Sequence, residues 1–165
     1  MPSLAQPAHT FMAWPRSLPQ AAAGARGPAR GKPATDRDFD ALCEVYRTRG
    51  GVVRRDVLAR VLHGGGGADA ATSGRLLITH GVFSFEWRAA HWVPMFQFDL
   101  RDMSIKPRPR RVVAELAEVF DGWALAIWFA HPNRWLRNRR PLDVLDVNLT
   151  SVLGAARADR FIANG

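Results

Sequence analysis

Hydrophobic residues recur at helical spacing over most of the chain after residue 35. The first such pattern begins at Asp36 and is ended by the pair Gly50-Gly51. Its apolar positions lie three and four residues apart: Phe39, Leu42, Cys43 and Tyr46. A second helix is predicted after the glycine pair, with one apolar face: Val53, Val57, Leu58, Val61 and Leu62. A third helix is predicted over residues 70–79.

Between residues 83 and 98 the period changes from helical to alternating. Phe83, Phe85 and Trp87 alternate with polar residues, and the stretch 92–98 alternates again. Two aromatic strands around residues 89–91 predict a β-hairpin. Pro94 has no amide hydrogen to donate to a ladder, so we expect it at an edge position.

Residues 112–165 return to the helical period. One predicted helix has a single apolar face: Val112, Val113, Leu116, Val119 and Phe120. The next segment, 123–130, is apolar nearly all round and predicts a central buried helix that Pro132 ends. Pro141 is suited to open the following helix, and Asn148 to cap the last one. The inner face expected for that last helix is Val152, Leu153, Ala156, Phe161 and Ile162.

Together these patterns predict a mainly α-helical protein with one β-hairpin. We expect a helix-helix-hairpin module over residues 36–99, in the element order of a winged helix-turn-helix. A Pro/Arg linker is expected over 100–111 and an all-α domain over 112–165. Residues 1–35 are rich in Pro, Ala and Gly and contain no acidic residue, so we expect a disordered basic tail or a start codon assigned too early.

Composition narrows the class of protein. The net charge of +8 favours anionic partners, either nucleic acid or an acidic protein surface. No apolar run approaches the roughly 20 residues of a membrane span, so no membrane partner is expected. The single cysteine excludes an intrachain disulfide and fits a reducing cytosol, so we expect a cytoplasmic protein.

The sequence contains no constellation typical of an enzyme. Its five histidines are scattered, and Cys43 lies on a predicted core face. The run Gly64–Gly67 lacks the Lys-Ser/Thr ending of a phosphate-binding loop. Asp143 and Asp146 are three residues apart, and we expect them to favour a helix N-terminus or to pair with arginines. We therefore expect a non-catalytic protein without cofactor or metal.

The stretch 128–145 combines two tryptophans, two prolines and four arginines. One interpretation is a helix-loop-helix packed for its own sake. The other is a docking surface with an arginine rim, since Trp and Arg are enriched at binding hot spots. The rim would comprise Arg134, Arg137, Arg139 and Arg140.

The string PNRWLRNRRPLDVL within this stretch resembles the C-terminal toxin-binding domain of Xre/MbcA/ParS-type antitoxins. The resemblance covers residues 105–165, and the positions that carry it are Asn133, Trp135, Leu136 and 141–145. The family usually has glycine where Arg137 and Asn138 stand, and often where Asn148 stands. The resemblance implies an all-helical domain that binds and neutralises a toxin, commonly an NAD-consuming RES-domain enzyme, which we expect to be encoded next to this protein.

On that resemblance we expect a set of toxin-binding residues. They are Asn133, Arg134, Trp135, Leu136, Arg137, Arg139, Pro141, Leu142, Leu145, Arg157, Arg160 and Gly165. Asn164 is a further candidate, because the C-terminus of family members often lies against the toxin. Alternatively, Arg157 and Arg160 are the solvated side of the final helix.

A second function is kept beside the first. The string RLLITHGVFSFEWRAAHWVPMFQF resembles winged modules of the MerR and excisionase type, which implies DNA binding. The DNA-binding candidates are Arg54, Arg55, Thr72, Ser73, Arg75, Arg88, Lys106, Arg108 and Arg110. The linker could follow a phosphate backbone or be a solvated connector, and the module could instead pack on the C-terminal helices or dimerise.

Three hypotheses therefore stand. The first is an antitoxin, the second a DNA-binding autorepressor and the third an orphan scaffold protein with an antitoxin-like fold. Homo-oligomerisation is expected in each.

Overall fold

The computed structural model of the chain describes residues 35–62 and 81–165. These contain the helices α1 (Asp36–Arg47), α2 (Arg55–Leu62), α3 (Pro107–Leu116), α4 (Gly122–Ala130), α5 (Pro141–Val144) and α6 (Leu149–Ala163). The strands are β1 (Val52–Arg54), β2 (Phe85–Trp87) and β3 (Ala90–Pro94), and short 3-10 helices cover Met95–Gln97 and Arg134–Leu136. A mainly helical protein with one β-hairpin was predicted; the mainly helical character is confirmed, and the hairpin belongs to a three-stranded antiparallel sheet.

Several predictions fall outside the described residues. They concern the tail up to residue 34, the glycine run 64–67 and the helix 70–79. The DNA-binding candidates Thr72, Ser73 and Arg75 lie there too.

Helix α1 begins and ends as its sequence predicts. The Thr35 hydroxyl accepts a hydrogen bond from the Asp38 amide, and the Asp38 carboxylate accepts one from the Thr35 amide at 2.9 Å. At the other end Gly50 and Gly51 adopt positive φ angles, +93° and +74°, which glycine accepts without steric cost. The Tyr46 hydroxyl then donates to the Ala126 carbonyl at 2.8 Å, so α1 is fastened to α4.

The hairpin is confirmed, but its details differ from the prediction. The turn consists of Arg88 and Ala89, both at positive φ, which is the geometry of a tight two-residue connection. β3 is the central strand of the order β1-β3-β2, so Pro94 is not on an edge strand. The pairing of β3 with β2 ends at Trp92, however, so the buried Pro94 has a strand partner only on the β1 side, where it pairs with Val52, and its missing donor is tolerated there.

The second predicted helix begins later than expected, because Val53 belongs to a strand. This strand, β1, has three residues, which are too few to show an alternating hydrophobic pattern in the sequence. Within α2 only Leu58 and Ala59 are buried, whereas Val57, Val61 and Leu62 are exposed. Of the predicted apolar face of this helix, only Leu58 is buried.

The predicted linker is also shorter than expected. Residues 107–111 open α3 instead of forming an extended connector, because Pro107 suits the first helical position. The remaining loop is held by an antiparallel bridge between Phe98 and Ile105. Further along, two predicted boundaries are confirmed: α4 ends before Pro132, and α5 starts at Pro141. The Asn148 side chain caps α6 by accepting a hydrogen bond from the Ser151 amide at 3.0 Å.

The main hydrophobic core contains residues of both predicted modules. Phe39 and Leu42 of α1 share it with Phe129 of α4 and Val152 of α6. Phe83 stacks on Phe129 with ring centroids 5.8 Å apart. Among the helices of the described residues, none has the length and apolar character that a bilayer crossing requires.

Gln97 is a buried polar residue that takes the place of a strand next to Phe83. Its Oε1 accepts from the Phe83 amide at 2.9 Å, and its Nε2 donates to the Phe83 carbonyl at 3.0 Å and the Pro94 carbonyl at 3.1 Å. The Gln97 side-chain amide thus hydrogen-bonds backbone groups that the strands of the described residues leave unpaired.

We expect Gln97→Leu to lower the free energy of unfolding by about 3 kcal/mol, because a buried amide hydrogen and two carbonyls lose their partner. Gln97→Glu keeps the acceptor for the Phe83 amide but places a buried carboxylate oxygen against the two carbonyls, so it should be at least as destabilised as the leucine variant at neutral pH. Urea denaturation followed by circular dichroism measures both. A leucine variant as stable as the wild type would contradict the pairing described here.

Candidate functional site

The loop after α4, residues 133–139, folds into a compact unit that we call the Trp135 corner. The Asn133 amide donates to the Arg139 carbonyl at 3.0 Å, which closes the loop on itself. The Asn133 side-chain oxygen accepts from the Trp135 amide at 2.8 Å and so caps the 3-10 helix. The conformation of the corner is therefore specified by its own backbone and by Asn133.

Arg137 and Asn138 reverse the chain within the corner. Both adopt left-handed backbone conformations, with φ of +56° and +59°. For a residue other than glycine this costs roughly 1–2 kcal/mol, and Asn bears it better than most. These are the two positions where the resemblance expects glycine, so the corner makes a glycine-type turn without glycine.

A buried carboxylate fastens the corner to α6. Asp159 is 7% exposed and accepts three hydrogen bonds from neutral donors. The donors are Asn133 Nδ2 at 2.7 Å, Trp128 Nε1 at 2.8 Å and Trp135 Nε1 at 3.0 Å. Asp159 was not among the residues that the sequence predicted for the site. Its signal was an acid on the inner face of the last helix, three residues after Ala156 and seven after Val152.

Trp135 is held in place although its side chain is half exposed, at 50%. Asp159 binds the indole nitrogen, and the Arg134 guanidinium lies 4.7 Å from the ring centroid in cation–π geometry. Ile162 is three residues after Asp159 and therefore lies one helical turn further along the same face. The corner thus presents a fixed aromatic ring beside the last turn of α6.

The arginines around Trp135 outnumber the buried carboxylate of Asp159 that hydrogen-bonds to the corner. Arg134, Arg137 and Arg139 are exposed. Within residues 35–62 and 81–165, no ion pair involves these three or Arg140. Elsewhere in that part of the chain, arginines such as Arg49 and Arg101 are paired with carboxylates. The corner is therefore a concentrated site of positive potential.

Five of the residues expected at the docking surface are inside the protein. Four apolar ones are buried: Leu136, Pro141, Leu142 and Leu145. Asn133 is buried as well. These side chains do not form an exposed surface in this conformation, because they pack against α4 and α6. They support the corner from beneath, and Arg134, Trp135, Arg137 and Arg139 are what it exposes.

Helix α6 carries the other expected contact residues. Arg157 and Arg160 both bind the carboxylate of Glu115, each at 2.8 Å, so they join α6 to α3. Gly165 is exposed. Phe161 and Ile162 were expected on the inner face, and this was wrong: they are 79% and 54% exposed. The last buried position of α6 is Asp159, so the final turn extends past the core.

The DNA-binding candidates within the described residues lie on three separate elements. Arg54 and Arg55 stand where β1 meets α2, and Arg54 is paired with Asp56 at 3.1 Å. Arg88 is at the hairpin turn, paired with Asp36 and 4.7 Å from the Trp87 ring centroid. The others stand at the start of α3: Lys106, Arg108 and Arg110.

We expected Asp143 and Asp146 to favour a helix N-terminus or to pair with arginines. Asp143 does both, and Asp146 pairs with an arginine. Asp143 lies in the first turn of α5, and Arg49 approaches Asp146 to 3.1 Å and Asp143 to 3.9 Å. Neither carboxylate is buried.

Cys43 is a titratable group with a shifted pKa. Burial, with a smaller contribution from the charge of Asp40, raises the pKa of the Cys43 thiol. This favours the protonated thiol over the thiolate that a nucleophile needs. Among the described residues, no three or more His, Cys, Asp or Glu side chains are grouped in a way that could hold a metal ion.

Burial, and to a lesser extent the charge of Arg140, lowers the pKa of His131 below its ordinary value of 6.5. The unfolded chain therefore binds a proton more readily than the folded one, and the protein should lose stability as the pH falls below 6.5. Urea midpoints measured between pH 5 and 8 should show this fall. The fall should be smaller in His131→Gln, and an unchanged slope in that variant would assign the effect to other groups.

Comparison with known proteins supplies no relative of this chain. No protein-family model, curated protein or solved structure matches it. The likeness of residues 105–165 to the antitoxin domain therefore stays a prediction.

Proposed function

We propose that this protein is a non-catalytic, antitoxin-like binding protein that neutralises a partner toxin through its C-terminal helical region. The observation that carries the proposal is the Trp135 corner, where Asp159 holds a half-exposed tryptophan among unpaired arginines. Tryptophan and arginine are the residues that most often dominate binding energy. Because the ring is already fixed, little conformational entropy is lost when a partner covers it.

Charge indicates what kind of partner the corner fits. Four arginines, Arg134, Arg137, Arg139 and Arg140, outnumber the buried carboxylate of Asp159, so this surface attracts one rich in carboxylates and repels a basic one. A toxin with an acidic patch that surrounds an apolar depression would match both the charges and Trp135. The resemblance narrows this class to enzymes such as the NAD-consuming RES-domain toxins.

The test is co-expression of this protein with the product of the adjacent gene. We expect that product to be toxic alone and harmless in the presence of the wild-type chain. Trp135→Ala should weaken the complex by about thirtyfold, which corresponds to a hot-spot residue of about 2 kcal/mol. Arg134→Glu should weaken it further through charge reversal.

Arg47→Glu is the matched control, since Arg47 is an exposed arginine on α1 whose one ion pair is with Glu44 of the same helix. That variant should protect as well as the wild type. A neighbouring product that is not toxic, or that remains toxic beside the wild-type chain, would exclude the antitoxin hypothesis and leave the orphan scaffold.

The sheet favours a second candidate function, binding of operator DNA. A strand between the first two helices of the described residues pairs with the hairpin in the order β1-β3-β2, which is compatible with the winged helix-turn-helix layout that the resemblance implies. The wing would be the hairpin, with Arg88 at its tip. Titration of upstream DNA at increasing salt tests this: steep salt dependence is expected, and Arg88→Glu should reduce it. Absence of binding at low salt would exclude it.

A further inference from the structure

A groove of about 510 Å³ lies between α1 and the outer edge of the sheet. Three side chains that line it are partly exposed and offer apolar surface: Cys43, Val52 and Trp92. Gly50 and Gly51 also line the groove, so no side chain fills it at their positions. None of these residues belongs to the Trp135 corner, and the groove is therefore a separate surface of the molecule.

The strand beside this groove has unpaired backbone groups. β1 is an outer strand of the order β1-β3-β2, and the Met95 amide donates to the Gly51 carbonyl at 2.9 Å. Because bonding alternates along an antiparallel pair, Gly51 and Val53 direct their backbone groups towards β3 and Val52 directs its own away from β3. In the part of the chain that the structure describes, no group hydrogen-bonds to the Val52 amide or carbonyl on that outer side. An edge of this kind is where an extended peptide can add to a sheet.

The groove is acidic, although the chain as a whole has a net charge of +8. Asp40 and Glu44 of α1 line it and are exposed. Among the described residues, Arg47 is the one cation that lines the groove, and it pairs with Glu44 at 2.7 Å. Asp40 makes no ion pair within residues 35–62 and 81–165. Two carboxylates thus face one guanidinium, which favours a basic occupant.

We propose that the groove binds the chain's own N-terminal segment, residues 1–34, as an extended strand added to β1. The segment ends next to Thr35, the N-cap of the helix that forms one wall of the groove. It carries no acidic residue and four basic ones: Arg16, Arg26, Arg30 and Lys32. Its charge is therefore complementary to that of the groove.

The sequence of the segment indicates which part of it would bind. Residues 8–14, AHTFMAW, contain large apolar side chains and no proline, so every amide in this stretch can donate to a strand. Arg16 follows two residues later and can approach Asp40. The connection over residues 15–34 has an r.m.s. span of about 25 Å if it is flexible, which exceeds the length of about 18 Å of the 12-residue helix α1. The groove is thus within reach, and the proposal does not depend on the binding of a toxin.

The experiment uses two reporters in the full-length protein: hydrogen exchange of the Val52 amide, followed by NMR, and the rate at which iodoacetamide alkylates Cys43, the only cysteine of the chain. A tether gives an effective concentration on the order of 1 mM, so a segment with an intrinsic Kd of about 0.1 mM is bound about ten times as often as it is free. Phe11→Ala combined with Trp14→Ala should therefore accelerate both reactions about tenfold relative to the wild type.

Leu4→Ala combined with Leu18→Ala is the matched control, because it removes two apolar side chains of the same segment outside residues 8–14. That variant should react like the wild type. Equal exchange of the Val52 amide in the wild type and in the Phe11/Trp14 variant would overturn the proposal, since this amide reports strand pairing whatever happens at the thiol. Protection that is lost on dilution would also overturn it, because the occupant would then be a second copy of the chain.

Discussion

Replacement of Gly122 with alanine should destabilise the protein by about 4 kcal/mol or prevent its folding, as expected where an added atom cannot be accommodated. Gly122 is the first residue of α4, and the Asp121 carboxylate caps this helix by accepting from the Ala124 amide at 2.8 Å. A Cβ at Gly122 would lie 1.9 Å from the Ser84 carbonyl oxygen and 3.1 Å from Phe85 Cα. Both neighbours are backbone atoms at the start of β2, so no side chain can rotate away to make room.

Gly154→Ala provides the matched control. Gly154 lies inside α6, and nothing stands within 4 Å of the Cβ that would be added. Alanine is the better helix former, so this variant should be more stable by about 1 kcal/mol. Urea denaturation of both variants gives the comparison. A Gly122→Ala protein within 1 kcal/mol of the wild type would contradict the close approach of α4 to β2.

Asp159→Ala should have a comparable effect, again about 4 kcal/mol. The substitution leaves the Trp128 and Asn133 donors buried without an acceptor, and each unsatisfied buried group costs about 1–3 kcal/mol. Trp135 Nε1 loses its acceptor as well, but half of that side chain already meets water. The variant should therefore lose both stability and the fixed position of the exposed ring.

Asp159→Asn separates these two consequences. One oxygen remains to accept from Trp128 and Asn133, while the new amide group would face the Trp135 indole N–H, donor against donor. We expect a smaller loss of stability, about 2 kcal/mol, and release of Trp135. The indole N–H resonance of Trp135 should then move towards its solvent-exposed position while that of Trp128 changes less. Unchanged indole signals in the asparagine variant would mean that Asp159 does not position the ring.

The two variants also bear on function. If Trp135 binds the partner as a fixed ring, Asp159→Asn should weaken the complex although it changes no exposed residue. An asparagine variant that binds like the wild type would show that the partner orders Trp135 by itself. The role of Arg134 could still be tested separately by charge reversal.

Prediction from local pattern succeeded where neighbouring residues determine the outcome. The capping of α6 by Asn148, the start of α5 at Pro141 and the end of α4 before Pro132 follow from backbone hydrogen bonding within a few residues. The aromatic hairpin was recognisable because its alternating period persists across both strands.

The candidate site was predicted only in part, for a physical reason. Local sequence marked Trp135 and its arginines, but it also placed Leu142 and Leu145 on the surface and Phe161 in the core. Which face of an apolar segment is covered depends on the elements that pack against it, and those elements are distant in sequence. The final turn of α6 contains Phe161 and Ile162, yet no element of the described residues covers Phe161.

From its amino-acid order alone this chain specifies a mainly helical protein with one hairpin, a strong positive charge and a Trp/Arg segment between two proline-bounded helices. Such features depend on residue types and on spacings of a few residues, so they can be recognised without the tertiary structure. Assembly of the elements settled the rest: the third strand, the role of Gln97, the close approach at Gly122 and the carboxylate of Asp159. Each of these features joins groups that lie far apart along the chain. Whether a buried polar group finds a partner, and whether there is room for a Cβ, is decided only when both groups are packed together.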